Sequence, residues 1–168
     1  MGKDTKMIIK IVSDKEKIKA IEALAYEIWN EHYTPIIGTN QVEYMLKKFQ
    51  SSEAVTEQIK NGYYYFLCEQ DNKPMAYMSM NISGQELFLS KFYVALSERG
   101  KGNGRKMITF IEELAKHKNL MKITLTVNIN NSDSIKMYEK VGFINSGTVI
   151  KDIGNGFVMD DYKMEKEL

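Results

Sequence analysis

The sequence is short of cysteine, proline and surplus charge. Cys68 is the single cysteine among 168 residues. That excludes an internal disulfide and a multi-cysteine zinc cluster and suits a reducing compartment, so a cytoplasmic location is expected. Two prolines argue against long disordered linkers. Lysine and arginine total 23 against 22 acidic residues, so no global field recruits nucleic acid or an anionic membrane, and any anion site must be local. A long hydrophobic run is missing too. The amino-terminal MGKDTKMIIKIVSDKEKIK has an apolar stretch too short and too interrupted by lysine for a signal peptide or membrane span. Gly2 invites N-myristoylation, but Lys6 stands where that signal has Ser or Thr. What remains is a hydrophobic fraction of 43% with 27% charged residues, the balance of a globular chain, and a length that predicts one domain over 1–168.

The periodicities predict mixed α+β structure around one sheet. Met7 to Val12 reads as a strand, and Ser13 with Glu16 as a capping box for a helix whose face is Ile18, Ile21, Leu24, Ala25 and Ile28, ending near His32. Pro35 and Gly38 are expected to break the chain. A second capping box, Asn40 with Glu43, precedes the apolar Val42, Met45, Leu46 and Phe49, and a short helix spans about Ser52 to Lys60. YYYFLCE and MAYMSMNI, joined by DNKP, predict a hairpin. The nearly continuous apolar run of LFLSKFYV predicts a central strand buried on both faces. A helix from about Gly102 to Lys118, a strand KITLTV and a helix Ile135 to Val141 follow. Two last strands, Phe143 to Ile153 and Phe157 to Glu165, turn at Asn155 and Gly156. This hairpin could equally close the sheet or meet a partner subunit, which leaves a homodimer open.

The segment ERGKGNG, Glu98 to Gly104, places three glycines at alternate positions among basic residues, after the most apolar strand and before an amphipathic helix. Free amides at a helix amino terminus carry positive partial charge and attract anions, by up to about 2 kcal/mol in sheltered geometry. Without a Cβ at Gly100, Gly102 and Gly104 the chain can take positive φ and lay its amides against a diphosphate, with Arg99, Lys101, Arg105 and Lys106 as point charges beside it. The spacing fits neither the dinucleotide fingerprint G-x-G-x-x-G nor the triphosphate loop G-x-x-x-x-G-K-[ST].

The stretch does match [RQ]-x-x-G-x-[GA] at Arg99, Gly102 and Gly104. NSDSIKMYEKVGF matches N-x-x-[AS]-x-x-x-Y-x-x-x-G-F at Asn131, Ser134, Tyr138, Gly142 and Phe143. Together and in this order the two motifs resemble the GCN5-related N-acetyltransferases (GNAT), and so does the element order along nearly the whole chain. The resemblance implies the acyl-CoA N-acyltransferase fold, a mostly antiparallel mixed sheet flanked by helices. It also implies an enzyme using acetyl-CoA and no metal, with the pyrophosphate on the backbone amides of Arg99, Gly100, Lys101, Gly102, Asn103 and Gly104 and with Arg105 beside it in the cofactor site. Pantetheine would pair with the main chain of Phe92, Tyr93 and above all Val94. Asn131 would bond the pantetheine arm or cap the helix that starts near Ser132, with Asn130 as a substitute.

The resemblance makes Tyr138 the general acid that protonates the departing thiolate; the residues alone favour a ring covering the core at the Ile135, Tyr138, Val141 spacing. The implied reaction is direct attack by a primary amine in a ternary complex. The acceptor would be a small molecule such as a polyamine, amino acid or aminoglycoside; protein amino termini or lysines, and a non-enzymatic acyl-CoA sensor, are the alternatives. Many family members carry a carboxylate mid-strand in the segment of LFLSKFYV, where this sequence has Ser90 and Lys91. Glu27, Glu31 and His32 are candidates near an acceptor, or simply a solvated helix face. Trp29, Tyr33 and Tyr44 could wall an acceptor cleft or belong to the core. Cys68 is expected to be a buried structural thiol, and His117 to lie away from the chemistry.

Overall fold

The computed structural model describes residues 6–168; Gly2, where the myristoylation reading fails, lies outside them. Seven strands lie in the order β1-β2-β3-β4-β5-β7-β6. They are β1 (Ile8–Ile11), β2 (Tyr64–Gln70), β3 (Lys73–Ser83), β4 (Glu86–Val94), β5 (Lys122–Asn128), β6 (Ile144–Gly154) and β7 (Phe157–Glu167). The helices are α1 (Lys15–His32), α2 (Thr34–Ile37), α3 (Thr39–Phe49), α4 (Ser52–Lys60), α5 (Asn103–His117) and α6 (Ser132–Lys140). The pairs β1/β2, β2/β3, β5/β7 and β6/β7 are antiparallel, and β4/β5 is parallel over Glu86↔Lys122 to Leu89↔Leu125. The sheet is therefore mixed and mostly antiparallel, as expected. Among the described residues, no helix is long and apolar enough to cross a membrane.

The chain divides into two compact units. The first takes in the chain to Met80 and Lys91–Asn103. Its α1 buries Ile18, Ile21, Leu24, Ala25 and Ile28, the predicted stripe, and packs on α2, α3 and α4. Each such aliphatic side chain contributes about 1.5–3 kcal/mol of burial. The caps differ from expectation. Asp14, not Ser13, starts α1 by accepting from Lys17 N at 2.9 Å. α3 begins at Gly38, whose φ of 85° turns the chain, with no side-chain cap from Asn40. Pro35 breaks nothing: it sits in the first turn of α2, where its missing N–H has no partner to lose. The β2/β3 hairpin closes on Asp71 and Asn72, both at positive φ, a two-residue turn matching strand twist.

The second unit comprises Asn81–Ser90 and Gly104–Leu168. Met107, Ile108, Ile111 and Ala115 of α5, Ile123 and Leu125 of β5 and Met164 of β7 are buried in it. The predicted Asn155-Gly156 turn joins β6 to β7, both residues at positive φ. β4 departs from expectation: Leu87 and Leu89 are buried while Phe88 and Ser90 are only partly covered, so the strand alternates instead of burying both faces. The end of α6 is a Schellman turn. Gly142 N donates to Glu139 O and Phe143 N to Tyr138 O, both at 3.0 Å, while the Phe143 ring meets Tyr138 edge-on at 5.7 Å.

Gly142 has φ 102°, and a Cβ there would approach Lys166 Cε to 3.1 Å. That lysine is held by Glu112 and Val141 O, so it cannot simply swing aside. Gly142→Ala is expected to destabilise the protein by roughly 1–2 kcal/mol, read as a lower urea midpoint at unchanged slope.

Candidate active site

The segment between β4 and α5 belongs to the first unit up to Asn103. β4 ends at Val94, a short turn of 3-10 helix covers Leu96–Glu98, and Gly100 and Gly102 take φ of 75° and 82°. A Cβ at either would meet nothing within 4 Å, so the space over both glycines is open. Among the described residues, no hydrogen bond is made by the N–H groups of Gly100, Lys101 or Gly102. Three exposed amides at positive-φ turns, immediately before a helix, form a concavity suited to an anion. Gly104 does not share the expected positive φ: it lies inside the first turn of α5, because the helix begins one residue before it.

Side chains hold this turn in shape. Asn103, 6% exposed, donates from Nδ2 to Glu98 O at 3.0 Å, closing the loop across its own base. Arg99 is not poised over the glycines. Its Nε donates to Val94 O at 3.0 Å, and its Nη1 lies 3.1 Å from His32 Nδ1. Lys101 pairs with Glu98 at 3.4 Å, and Arg105 is exposed on α5. Glu27 and Glu31 are exposed, as a solvated face requires, whereas His32 at the end of α1 is partly buried and turned to Arg99. Sequence spacing carries no signal for that link, since 67 residues separate the partners.

β4 brings two further groups into the first unit. Tyr93 lies at the centre of an aromatic cluster with Trp29 at 5.5 Å, Tyr77 at 5.2 Å and Tyr33 at 6.1 Å, while Trp29 stacks on Tyr33 at 4.3 Å. Phe92 and Val94 flank it, half-buried. Tyr44, half-buried on α3, accepts from Lys48 at 2.9 Å. Two residues before Tyr93, Lys91 is 6% exposed. Its Nζ donates to Tyr65 Oη at 2.5 Å, to Gln58 Oε1 at 3.1 Å and to Phe49 O, the last carbonyl of α3. Three donors thus meet three acceptors, one of them the negative end of a helix. Burial nevertheless pushes the ammonium down to about 7. Cys68 is buried with its thiol pushed up to about 12 by desolvation, which disqualifies it as a nucleophile.

In the second unit β5 runs into α6 through a turn. Asn130 N donates to Asn128 Oδ1 and Asn131 N to Asn128 O, each at 2.9 Å. Asn131 stands at the N-cap position of α6 but makes no capping bond with its side chain, which is 2% exposed. The capping half of its expected role is therefore absent. Tyr138 is buried against Phe143 at the helix end. His117 is exposed on the last turn of α5.

A mixed seven-stranded sheet with flanking helices and a glycine turn leading from β4 into α5 is the architecture of the acyl-CoA N-acyltransferases. The fold is similar to that of PaiA N-acetyltransferase from Thermoplasma acidophilum, solved in complex with coenzyme A (TM-score 0.82, 20% identity, 97% of this chain and 99% of that one). A GCN5-related N-acetyltransferase from Rhodopseudomonas palustris is similar at TM-score 0.81 and 15% identity over the whole of both chains. So is a spermidine N-acetyltransferase SpeG chimera from Vibrio cholerae and hSSAT, at TM-score 0.71 and 18% identity over 97% of this chain and 96% of that one. The model of the acetyltransferase (GNAT) family matches residues 22–143. The chain belongs to this family and is an acyltransferase.

An unfolded lysine keeps its proton to about 10.5, and folded Lys91 only to about 7. Between those values the unfolded chain binds more protons, so this residue's contribution to stability grows as pH rises, by at most about 1.4 kcal/mol per unit. Comparing urea unfolding of wild type and Lys91→Met, the difference is expected to move in favour of wild type from pH 7 to pH 9. A pH-independent difference would place the Lys91 proton elsewhere.

Proposed function

We propose that residues 1–168 act as one N-acetyltransferase domain. It transfers acetyl from acetyl-CoA to a primary amine of a small molecule, such as a polyamine, amino acid or aminoglycoside. The observation that carries the reading is the set of unbonded N–H groups at Gly100, Lys101 and Gly102, under open space and at a helix start. A diphosphate fits them in charge and in room. The thermodynamic benefit is a set of charge-assisted bonds to donors that otherwise face water, which is a sound basis for holding a soluble anion reversibly.

Acetyl-CoA supplies the thioester. The residues proposed to hold it are Arg99 to Gly104 with Arg105 for the diphosphate, the main chain of Phe92, Tyr93 and Val94 for the pantetheine arm, and Asn131 for its amides. Arg99 would act through its backbone and by bracing the turn, since its guanidinium is engaged by Val94 O and His32. A neutral amine attacks the acetyl carbonyl directly, without a covalent enzyme intermediate; as the C–N bond forms and the C–S bond breaks, the Tyr138 hydroxyl gives its proton to the departing sulfur, and the proton shed by the acylated nitrogen passes to solvent, from which Tyr138 is reprotonated. The family resemblance of the N-x-x-S-x-x-x-Y segment supports Tyr138 in this role. Its ring packing on Phe143 would fix the direction of the hydroxyl.

Release of free thiol from acetyl-CoA in the presence of amine panels tests the reading. Turnover with peptides alone would favour a protein acceptor, and cofactor binding without turnover a sensor. Gly102→Val replaces a residue at φ 82° and is expected to weaken coenzyme A binding about tenfold or more by calorimetry while the fold persists. Tyr138→Phe keeps the ring and its packing. It is expected to lower kcat about 100-fold with coenzyme A affinity unchanged.

A further inference from the structure

The end of α1 and the glycine turn lie together in the first unit. α1 packs on the 3-10 turn at Leu96–Glu98, and its last residue, His32, meets the segment that carries the open amides. Arg99 is the link. Its Nη1 lies 3.1 Å from His32 Nδ1 while its Nε donates to Val94 O at 3.0 Å. A guanidinium is planar, so contacts through two of its nitrogens fix its plane as well as its position. The cation also stands at the carboxyl end of α1, where the helix dipole is negative.

The chemistry of the pair fixes the state of the ring. Arginine has five N–H donors, no acceptor and a permanent charge, so His32 Nδ1 must supply the lone pair. An imidazolium has none to give, and a neutral ring protonated on Nδ1 would set hydrogen against hydrogen. The ring at this contact is therefore neutral and carries its proton on Nε2. In that form Nε2 is a donor, and no lone pair is left with which to take a proton from an amine. Edge-on packing against Tyr33, with centroids 4.8 Å apart at 86°, sets the direction of the ring.

What the pair holds is one peptide group. Val94 O accepts from Arg99 Nε, and the N–H at the other end of the same peptide, on Ala95, donates to Met75 O at 2.8 Å. The plane by which β4 enters the turn is thus pinned from both sides. Without an acceptor opposite Nη1, the long arginine side chain can rotate towards water and take Nε away from the carbonyl. We infer that His32 is a positioning residue for coenzyme binding: as the Nε2–H tautomer it anchors Arg99, and through Arg99 the Val94 peptide from which the turn departs. For the identity of the ligand this rests on the proposed acetyltransferase reading. The tautomer rests on the contact alone.

The test is calorimetric titration of wild type, His32→Leu and His32→Asn with coenzyme A, together with long-range proton–nitrogen NMR spectra of the histidine rings at neutral pH. His32→Leu removes the acceptor and is expected to weaken coenzyme A binding about tenfold. Asparagine places Oδ1 as many bonds from the backbone as Nδ1, so His32→Asn is expected to bind within about twofold of wild type. It also separates the His32 signals from those of His117 by deleting them. In ligand-free wild type those signals are expected to show a bare Nδ1 and a protonated Nε2. Thermal melting confirms that the variants are folded, and the wild-type spectrum needs no variant. A ring protonated on Nδ1, equal coenzyme A affinity in His32→Leu and wild type, or no rescue by His32→Asn overturns the inference. Failure of wild type to bind coenzyme A overturns the proposed function instead, whichever tautomer the spectrum shows.

Discussion

In the proposed reading, the rest of the chemistry depends on the passage from Val94 to Asn103. A strand satisfies its amides sideways and a helix satisfies them along its axis, so a chain changing from one to the other within a few residues must leave some N–H groups unanswered. Here the unanswered groups fall at Gly100, Lys101 and Gly102. They stay in water because the two glycines carry the backbone through φ of 75° and 82°. The turn keeps its shape through the main-chain bonds of Glu98 N to Ala95 O and Arg99 N to Leu96 O, and through side chains that bond inward, Asn103 to Glu98 O and Arg99 to Val94 O. Basic residues near such a turn look like ligands for an anion, but one of them is the brace.

Much of the fold could be read from local patterns because local physics decides it. The apolar stripe of α1 and the Asn155-Gly156 turn depend on neighbours only a few residues away, and both stand where the pattern puts them. Caps were less legible. Ser13 and Asp14 are adjacent and both able to accept a helix amide, and it is Asp14 that accepts from Lys17 N. Ahead of α3 the chain uses the freedom of Gly38 instead of an oxygen from Asn40. The apolar letters of β4 suggested cover on both sides, yet burial follows alternate residues and ends on a lysine.

The candidate site divides in the same way. The glycine turn and the Asn131 to Phe143 segment are contiguous motifs, legible because each is a complete local device. The contacts that no motif encodes act across long stretches of chain. Lys91 meets Phe49, 42 residues away, and Arg99 meets His32.

The Schellman end of α6 gives one residue two independent claims on its side chain. The Tyr138 ring and Phe143 close the helix through hydrophobic contact, a task phenylalanine performs equally well, whereas any proton delivery would reside in a single oxygen atom. Selection for folding and selection for turnover therefore read different atoms of the same amino acid. In descendants freed from turnover, the aromatic would persist after the hydroxyl had gone, leaving a ring whose presence attests to architecture and is silent about activity.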